Sequence, residues 1–166
     1  MSQVQDFLNV AKAEIGTVEG PKDNETKYGA FTKHNFQPWC GSFVMWCAAQ
    51  VKYKMPNVVW TPGGVSAFQG IGAWSNAATA KPKPGDIVFF DFVEGGAPVE
   101  HVGIVVQDNG DGTVTTIEGN TSAEKHKGGS QANGGQVAER IRAYKSSNKR
   151  KLPAYIVGFG SPKWSK

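Results

Sequence analysis

The sequence contains few cysteines and no long hydrophobic run. Cys40 and Cys47 are the only cysteines, so a small fold held together by a disulfide framework is excluded. No run of about 18 apolar residues occurs, and a membrane-spanning helix needs one of that length. Residues 2–16 are amphipathic and lack the charged and then apolar order of a signal peptide. We therefore expect no membrane span, and synthesis in the cytoplasm without a signal peptide.

Low-complexity sequence is also absent. The 166 residues include 21 glycines and 9 prolines, which is below the level typical of disordered or repetitive chains. The length suits one domain and leaves little room for a second. We expect residues 1–166 to form a single domain that acts as a monomer.

Acidic residues are scarce near the C-terminus. Residues 139–166 contain eight basic residues and one acidic residue, a net charge of +7, whereas residues 1–138 carry −3 and the whole chain carries +4. A basic segment of this kind suits contact with a polyanion such as nucleic acid or a phosphate-rich wall polymer. Ordinary solvated lysines on a strand and loop are the plainer interpretation.

Helical patterns occupy the N-terminal half of the sequence. A helix of about 13 residues begins at Ser2, which has capping-box spacing to Gln5, and ends at Gly16. Residues 17–38 form either a long functional loop or a short helix with irregular ends. Two more helices are predicted, a buried one that begins near Pro38 and a weaker one over 65–76.

Strand patterns occupy the C-terminal half. They are rich in β-branched and aromatic residues and cover 86–90, 101–106, 113–118, 137–144 and 155–159. Helices followed by a run of strands are typical of an α+β domain, in which N-terminal helices pack on an antiparallel β-sheet.

Cys40 is the first candidate for a catalytic residue. It lies in the first turn of the predicted second helix, where free backbone N–H groups and the helix dipole favour a thiolate. Cys47 lies about 10 Å further along the same helix, too far for a disulfide. Two unpaired thiols indicate a reducing compartment. The alternative for Cys40 is a small apolar residue of the core, and Cys47 fits that alternative well.

His101 is the strongest candidate for the base that a cysteine nucleophile needs. The other two histidines, His34 and His126, lie in polar segments rich in turn residues, whereas His101 begins a predicted strand. A two-residue turn at Asn109 and Gly110 would place Glu118 directly opposite His101, within hydrogen-bonding reach.

Asn120 would project from the same face of the strand as Glu118 and could assist or replace it. A turn of odd length would move Glu118 to the other face. The alternatives are a surface cross-strand pair for His101 and Glu118, and a turn residue for Asn120.

The order of four motifs in this sequence resembles the CHAP domain, the cysteine, histidine-dependent amidohydrolase/peptidase of peptidoglycan hydrolases. The resemblance extends from the first helix to the closing segment 157–162, and the polar segment 24–29 is similar to that of phage lysins. The motifs are Pro38-Trp39-Cys40, the segment Pro82 to Phe90, His101-Val102-Gly103-Ile104-Val105, and Ile117-Glu118-Gly119-Asn120.

This resemblance implies a papain-like fold and a single catalytic domain without a separate cell-wall-binding module. It implies Cys40 as nucleophile, His101 as general base and Glu118 as orienting residue. Asn120 occupies a position that is also polar in relatives. Some relatives bind calcium through carboxylates just before the cysteine, but this sequence has Phe31, Lys33, Asn35 and Gln37 there. We therefore expect no metal, and Asp23 with Glu25 is only a weak substitute.

The expected function is hydrolysis of a peptidoglycan amide bond without a cofactor, either as an N-acetylmuramoyl-L-alanine amidase or as a stem or cross-bridge endopeptidase. Gln37 is the expected second oxyanion donor. Trp39 is either a wall of the substrate cleft or a core residue. The expected partner is the bacterial wall, with anionic polymers contacting 139–166, and neither nucleic acid nor membrane.

Two other functions remain open from the sequence. A non-catalytic module that binds wall or nucleic acid would explain the basic segment but not the pattern of cysteine, histidine and glutamate. A host-type peptidase or acyltransferase that remodels the wall would use the same residues. We expect a phage lysin that reaches the wall through a membrane pore or inside a virion.

Overall fold

The described helices precede all the described strands in the computed structural model, which describes residues 1–92, 98–123 and 130–166. The helices are α1 (Gln3–Ala13), α2 (Lys27–Thr32), α3 (Cys40–Gln50) and α4 (Thr61–Gly70). The strands are β1 (Trp74–Asn76), β2 (Ile87–Phe90), β3 (His101–Asp108), β4 (Thr113–Thr121), β5 (Gln136–Ala143) and β6 (Ile156–Gly160).

The first three helices begin where local chemistry favours a helix start. The Ser2 side chain caps α1 by accepting the Gln5 N–H bond, as predicted. Thr26 caps α2 in the same way, so segment 17–38 contains a short helix. Helix α3 begins two residues after Pro38, which confirms the predicted buried helix.

The predicted third helix was wrong at both ends. Helix α4 begins at Thr61, four residues earlier than expected, because Pro62 suits the first turn of a helix. It ends before Gly72, whose φ of +69° is incompatible with a right-handed helix. Residues 74–76, expected to be helical, form the edge strand β1.

All described strands belong to one antiparallel sheet of order β1-β6-β2-β3-β4-β5. The five predicted strands are confirmed in position, and so is the predicted α+β class. One apolar cluster fills the space between the helices and the sheet and includes Phe43 of α3 and Ile117 of β4. A second cluster covers the other face, so the sheet is buried on both sides.

The turn between β3 and β4 differs from the predicted one. The Asn109 N–H donates to the Thr113 carbonyl at 3.0 Å, so three residues, 110–112, lie between these partners. Asp108 therefore faces Val114, three positions beyond its predicted partner. A shift of three positions reverses the side-chain alternation of one strand relative to the other.

A bulge at 105–107 corrects that reversal. Beyond it, Ile104 pairs with Ile117, two positions from the predicted register. A shift of two keeps His101 and Glu118 on one face, as diagonal neighbours instead of direct opposites. The predicted direct opposition was wrong, but the predicted contact is present.

Within the described segments of the chain, no helix is long and apolar enough to cross a lipid bilayer.

Helix α3 approaches the segment before α4 so closely that residue 41 must be glycine. A Cβ atom there would overlap the Val58 carbonyl oxygen and the Val59 Cα. We expect Gly41→Ala to lower the free energy of unfolding by about 2 kcal/mol, because backbone atoms cannot rotate away. Urea denaturation of the variant measures this loss.

Gly70→Ala is the matched control, since a Cβ at that helical position meets nothing within 4 Å. It should leave stability unchanged or raise it by up to about 1 kcal/mol. Equal stabilities for the two variants would contradict the close packing of α3 on this segment.

Candidate active site

Cys40 lies at the first residue of α3, where that helix meets the start of β3. Trp39 provides no side-chain cap to the helix, and the nearby backbone N–H groups of Val102 and Gly41 help to lower the pKa of the Cys40 thiol. The residue is 4 % exposed and its thiol is free. A sulfur surrounded by donors at a helix start favours the thiolate.

His101 lies beside that sulfur and is fully buried. Its Nε2 is 2.8 Å from the Glu118 Oε1, so an Nε2–H group donates to the carboxylate. Among described residues, Nδ1 has no partner of normal hydrogen-bond geometry, yet the Cys40 thiol is close enough to interact with the ring. The Glu118 bond therefore turns Nδ1 toward the thiol.

The thiol and the imidazole shift each other's proton affinity. Burial disfavours a charged Cys40, but interaction with His101 and with the nearby N–H groups lowers its pKa below the usual value. Burial likewise disfavours charged His101, but Cys40 and Glu118 together raise its pKa to about 9. Both shifts favour a thiolate–imidazolium pair at neutral pH.

Cys47 has the opposite environment two turns further along α3. It is fully buried in the apolar cluster, and this burial raises the pKa of its thiol. Cys47 is therefore a core residue, as its position predicted.

Glu118 is fully buried and remains ionised because the Arg142 guanidinium binds both of its carboxylate oxygens. Burial alone would raise its pKa, but Arg142 overcomes this effect and the pKa lies far below the usual value. Arg142 donates from Nε to Oε2 at 2.8 Å and from Nη2 to Oε1 at 2.7 Å. The Thr116 hydroxyl donates to Oε2 at 2.5 Å. Three donors and His101 thus surround one carboxylate.

Arg142 is the site residue that sequence reasoning missed, since it was counted with the basic segment 139–166. Its guanidinium lies over the rings of Phe90 and Phe92 and is 6 % exposed. A buried glutamate needs a buried cation, and the adjoining strand offers Arg140 and Arg142. The register of β4 with β5 alone would favour Arg140, which lies opposite Thr116, and only burial against the two phenylalanine rings distinguishes Arg142.

The next two predicted site residues are Asn120 and Gln37. Asn120 is buried, but its side chain bonds to Asn133 and to the Gly135 N–H, both at 3.0 Å. Gln37 is exposed three residues before Cys40.

Trp39 is fully buried, stacks on Tyr28 at 5.4 Å and donates to the Glu19 carboxylate. It is a core residue, and the expectation of a cleft wall there was wrong because the ring has no exposed face. His34 is exposed, and His126 lies outside the described residues.

The residues before Cys40 do not fit a calcium ion. The four positions that carry carboxylates in some relatives have none here. Among the described residues, no group of three or more histidine, cysteine or acidic side chains could hold a metal. Interaction with the Glu19 carboxylate raises the pKa of Asp23, and Glu25 accepts a hydrogen bond from the Lys22 N–H.

The pH dependence of stability should show whether Arg142 keeps the buried Glu118 carboxylate ionised. We expect Arg142→Ala to lower stability at pH 7 by about 3 kcal/mol, because Glu118 loses its cation. Since the folded-state pKa of Glu118 is depressed, its stabilising effect is present above the unfolded pKa and is lost as pH falls. The difference from wild type should therefore shrink toward about pH 3 in urea titrations.

Arg150→Ala is the control for that experiment. Arg150 pairs with Asp111 at 3.0 Å on the surface, so its loss should cost less than about 1 kcal/mol. If the destabilisation by Arg142→Ala does not change with pH, Arg142 does not act by keeping Glu118 ionised.

Comparison with known proteins confirms the papain-like fold that the resemblance implied. Eight chains of solved structures match, among them one described as "The crystal structure of Ly7917", with 17 % identity and a TM-score of 0.52 over 96 % of this chain. The alignment covers 62 % of that protein, so this chain spans less than two thirds of its length, and the likeness concerns the fold. No curated protein matches. The CHAP domain model matches residues 32–120, which is more than half of the sequence and includes Cys40, His101 and Glu118, and the chain therefore belongs to the CHAP domain family.

Proposed function

We propose that this CHAP domain hydrolyses an amide bond of peptidoglycan with Cys40 as its nucleophile. CHAP domains are peptidoglycan amidases and peptidases, and membership of that family supports the substrate. The observation that carries the proposal is the buried series of Cys40, His101 and Glu118, in which each side chain interacts with the next. Such a series activates a thiol and orients its base.

In the first step, the Cys40 thiolate attacks the carbonyl carbon of the amide, and the electron pair of the C=O bond moves to oxygen. In this proposal the Cys40 backbone N–H and the Gln37 side chain donate to that oxyanion. The intermediate then collapses, and the His101 imidazolium protonates the departing amine. A thioester and a free amine result.

In the second step, water hydrolyses the thioester. Neutral His101 takes a proton from the water as it attacks, and the carboxylic acid leaves with regeneration of the thiolate. Glu118 holds the ring by its Nε2–H bond throughout. Arg142 keeps the Glu118 carboxylate ionised and positioned. The bond cut is either the lactyl–L-alanine amide or a peptide bond in the stem or cross-bridge.

The biological setting belongs to the same proposal. The protein is a phage lysin that acts as a monomeric catalytic domain and reaches the wall through a membrane pore or within a virion. The similarity of segment 24–29 to phage lysins supports this origin. The basic segment offers anionic wall polymers its exposed lysines, because each of its three arginines already binds another group of the chain. These lysines are Lys145, Lys149, Lys151, Lys163 and Lys166.

Mass spectrometry of the soluble products released from purified peptidoglycan tests the reaction. Wild type should release either stem peptides that begin with L-alanine, which identify an amidase, or fragments with new termini within a stem or cross-bridge, which identify an endopeptidase. Cys40→Ala should release neither, because the nucleophile is gone. Cys47→Ala is the matched control and should retain the wild-type products.

Equal release by wild type and Cys40→Ala would exclude Cys40 as the nucleophile. If wild type released nothing from walls of several chemotypes, hydrolysis of peptidoglycan would be excluded.

The dependence of kcat/KM on pH tests the ion pair. The rate should rise on the acid side as the Cys40 thiol ionises at its lowered pKa. It should fall near pH 9 as His101 loses the proton needed by the leaving amine. Glu118→Gln should shift the alkaline limb to lower pH, since the carboxylate that raises the His101 pKa is neutralised. An alkaline limb that stays in place would contradict the role of Glu118.

A further inference from the structure

Trp60 is a large exposed aromatic side chain that the mechanism does not use. It lies at the start of α4 and is 73 % exposed, whereas the other four tryptophans, all within the described residues, are buried or half-buried. An exposed tryptophan is costly in water and is typical of binding surfaces. Its surroundings therefore indicate what it binds.

The indole ring is held in place by the backbone beneath it. A Cβ atom on Gly63 would lie 2.8 Å from the Trp60 Cε3, so the ring packs directly against residue 63. This contact fixes part of the ring and leaves the rest open to solvent. A ring fixed before binding loses little conformational entropy when a ligand stacks on it.

The ring forms one side of a pocket of about 320 Å³. The pocket is lined by His34, Asn57, Val59, Trp60, Gly63 and Ala67. None of these residues is lysine, arginine, aspartate or glutamate. An aromatic and aliphatic lining with an amide and an imidazole suits a neutral ligand that has both C–H faces and hydrogen-bonding groups.

Residues that line or flank the pocket pack against chain neighbours of Cys40 and His101. Gly41, next to the nucleophile, packs against Val58 and Val59. On the other side of Trp60, the Thr61 hydroxyl donates to the Val99 carbonyl at 2.6 Å, two residues before His101. The chain around Trp60 thus contacts both the start of α3 and the approach to β3.

We propose that this pocket binds an N-acetylhexosamine ring of the glycan strand beside the amide that Cys40 attacks. This inference rests on the proposed function and names a part of its substrate. The C–H face of a pyranose packs on the indole, and the acetamido group bonds to Asn57 or His34. Peptide stems carry carboxylates, and a pocket without a lysine or arginine gives those charges no partner.

Nuclear magnetic resonance tests the pocket without catalysis. In the Cys40→Ala background, chitotetraose should shift the indole N–H signal that disappears in Trp60→Ala, and the shift should saturate. Ile71→Ala is the matched control, because Ile71 is 63 % exposed at the end of the same helix and does not line the pocket. It should leave binding unchanged. Gly63→Ala should weaken binding, since the added Cβ displaces the ring.

Hydrolysis provides the second measurement. Trp60→Ala should raise the half-saturating concentration of peptidoglycan by about tenfold and leave the maximal rate near wild type. Gly63→Ala should have an effect of the same sign, and Ile71→Ala should have none.

The outcomes separate this inference from the proposed function. If a free stem peptide shifts the Trp60 signal and chitotetraose does not, or if neither probe does, the sugar site is overturned. Active wild type with unchanged half-saturation in Trp60→Ala also overturns it and leaves the proposed function standing. Inactive wild type whose Trp60 binds chitotetraose would overturn hydrolysis and retain the sugar site.

Discussion

The candidate active site depends on one buried negative charge, the carboxylate of Glu118. A lone carboxylate in the interior would take up a proton, and a protonated acid would neither raise the pKa of His101 nor hold its ring. Arg142 prevents this by binding both carboxylate oxygens, and the same oxygen that accepts from Nη2 also accepts from His101. Strand β5 is therefore essential to a reaction whose atoms it never touches. Three neighbouring strands must be in register before the imidazole is oriented.

Much of that arrangement could be predicted from the sequence, although the contact of His101 with Glu118 was predicted from the wrong turn. The α+β class, the helix that begins at Cys40 and the pairing of His101 with Glu118 follow from hydrophobic period, helix-start chemistry and strand order. The two-residue turn was wrong, and the turn that forms would have separated the pair. The bulge at 105–107 restores the alternation. A bulge is one extra residue in a strand, and no particular residue type marks this one. The strand pattern alone therefore could not locate it.

The remaining features depend on tertiary packing that local pattern does not encode. Arg142 resembles the exposed basic residues near it in sequence, and only burial against Phe90 and Phe92 distinguishes it. From the sequence, Trp39 could be a cleft wall or a core residue. Tyr28 stacks on it and makes it a core residue, but Tyr28 lies on α2, a helix that the sequence did not predict with certainty. The early start of α4, by contrast, has a local signal in the sequence, because Pro62 favours the first turn of a helix.

The spread of the site along the chain determines when the thiol becomes reactive. Of the site residues, Cys40 leaves the ribosome first and Arg142 last, with four strands between them. Until β5 docks, the carboxylate has no cation, the imidazole has no fixed orientation and the thiol has the proton affinity of any cysteine. Contacts this distant in sequence form late in folding. A nascent or C-terminally clipped chain therefore contains the nucleophile in an inert form, and the chemistry is acquired only with the complete fold.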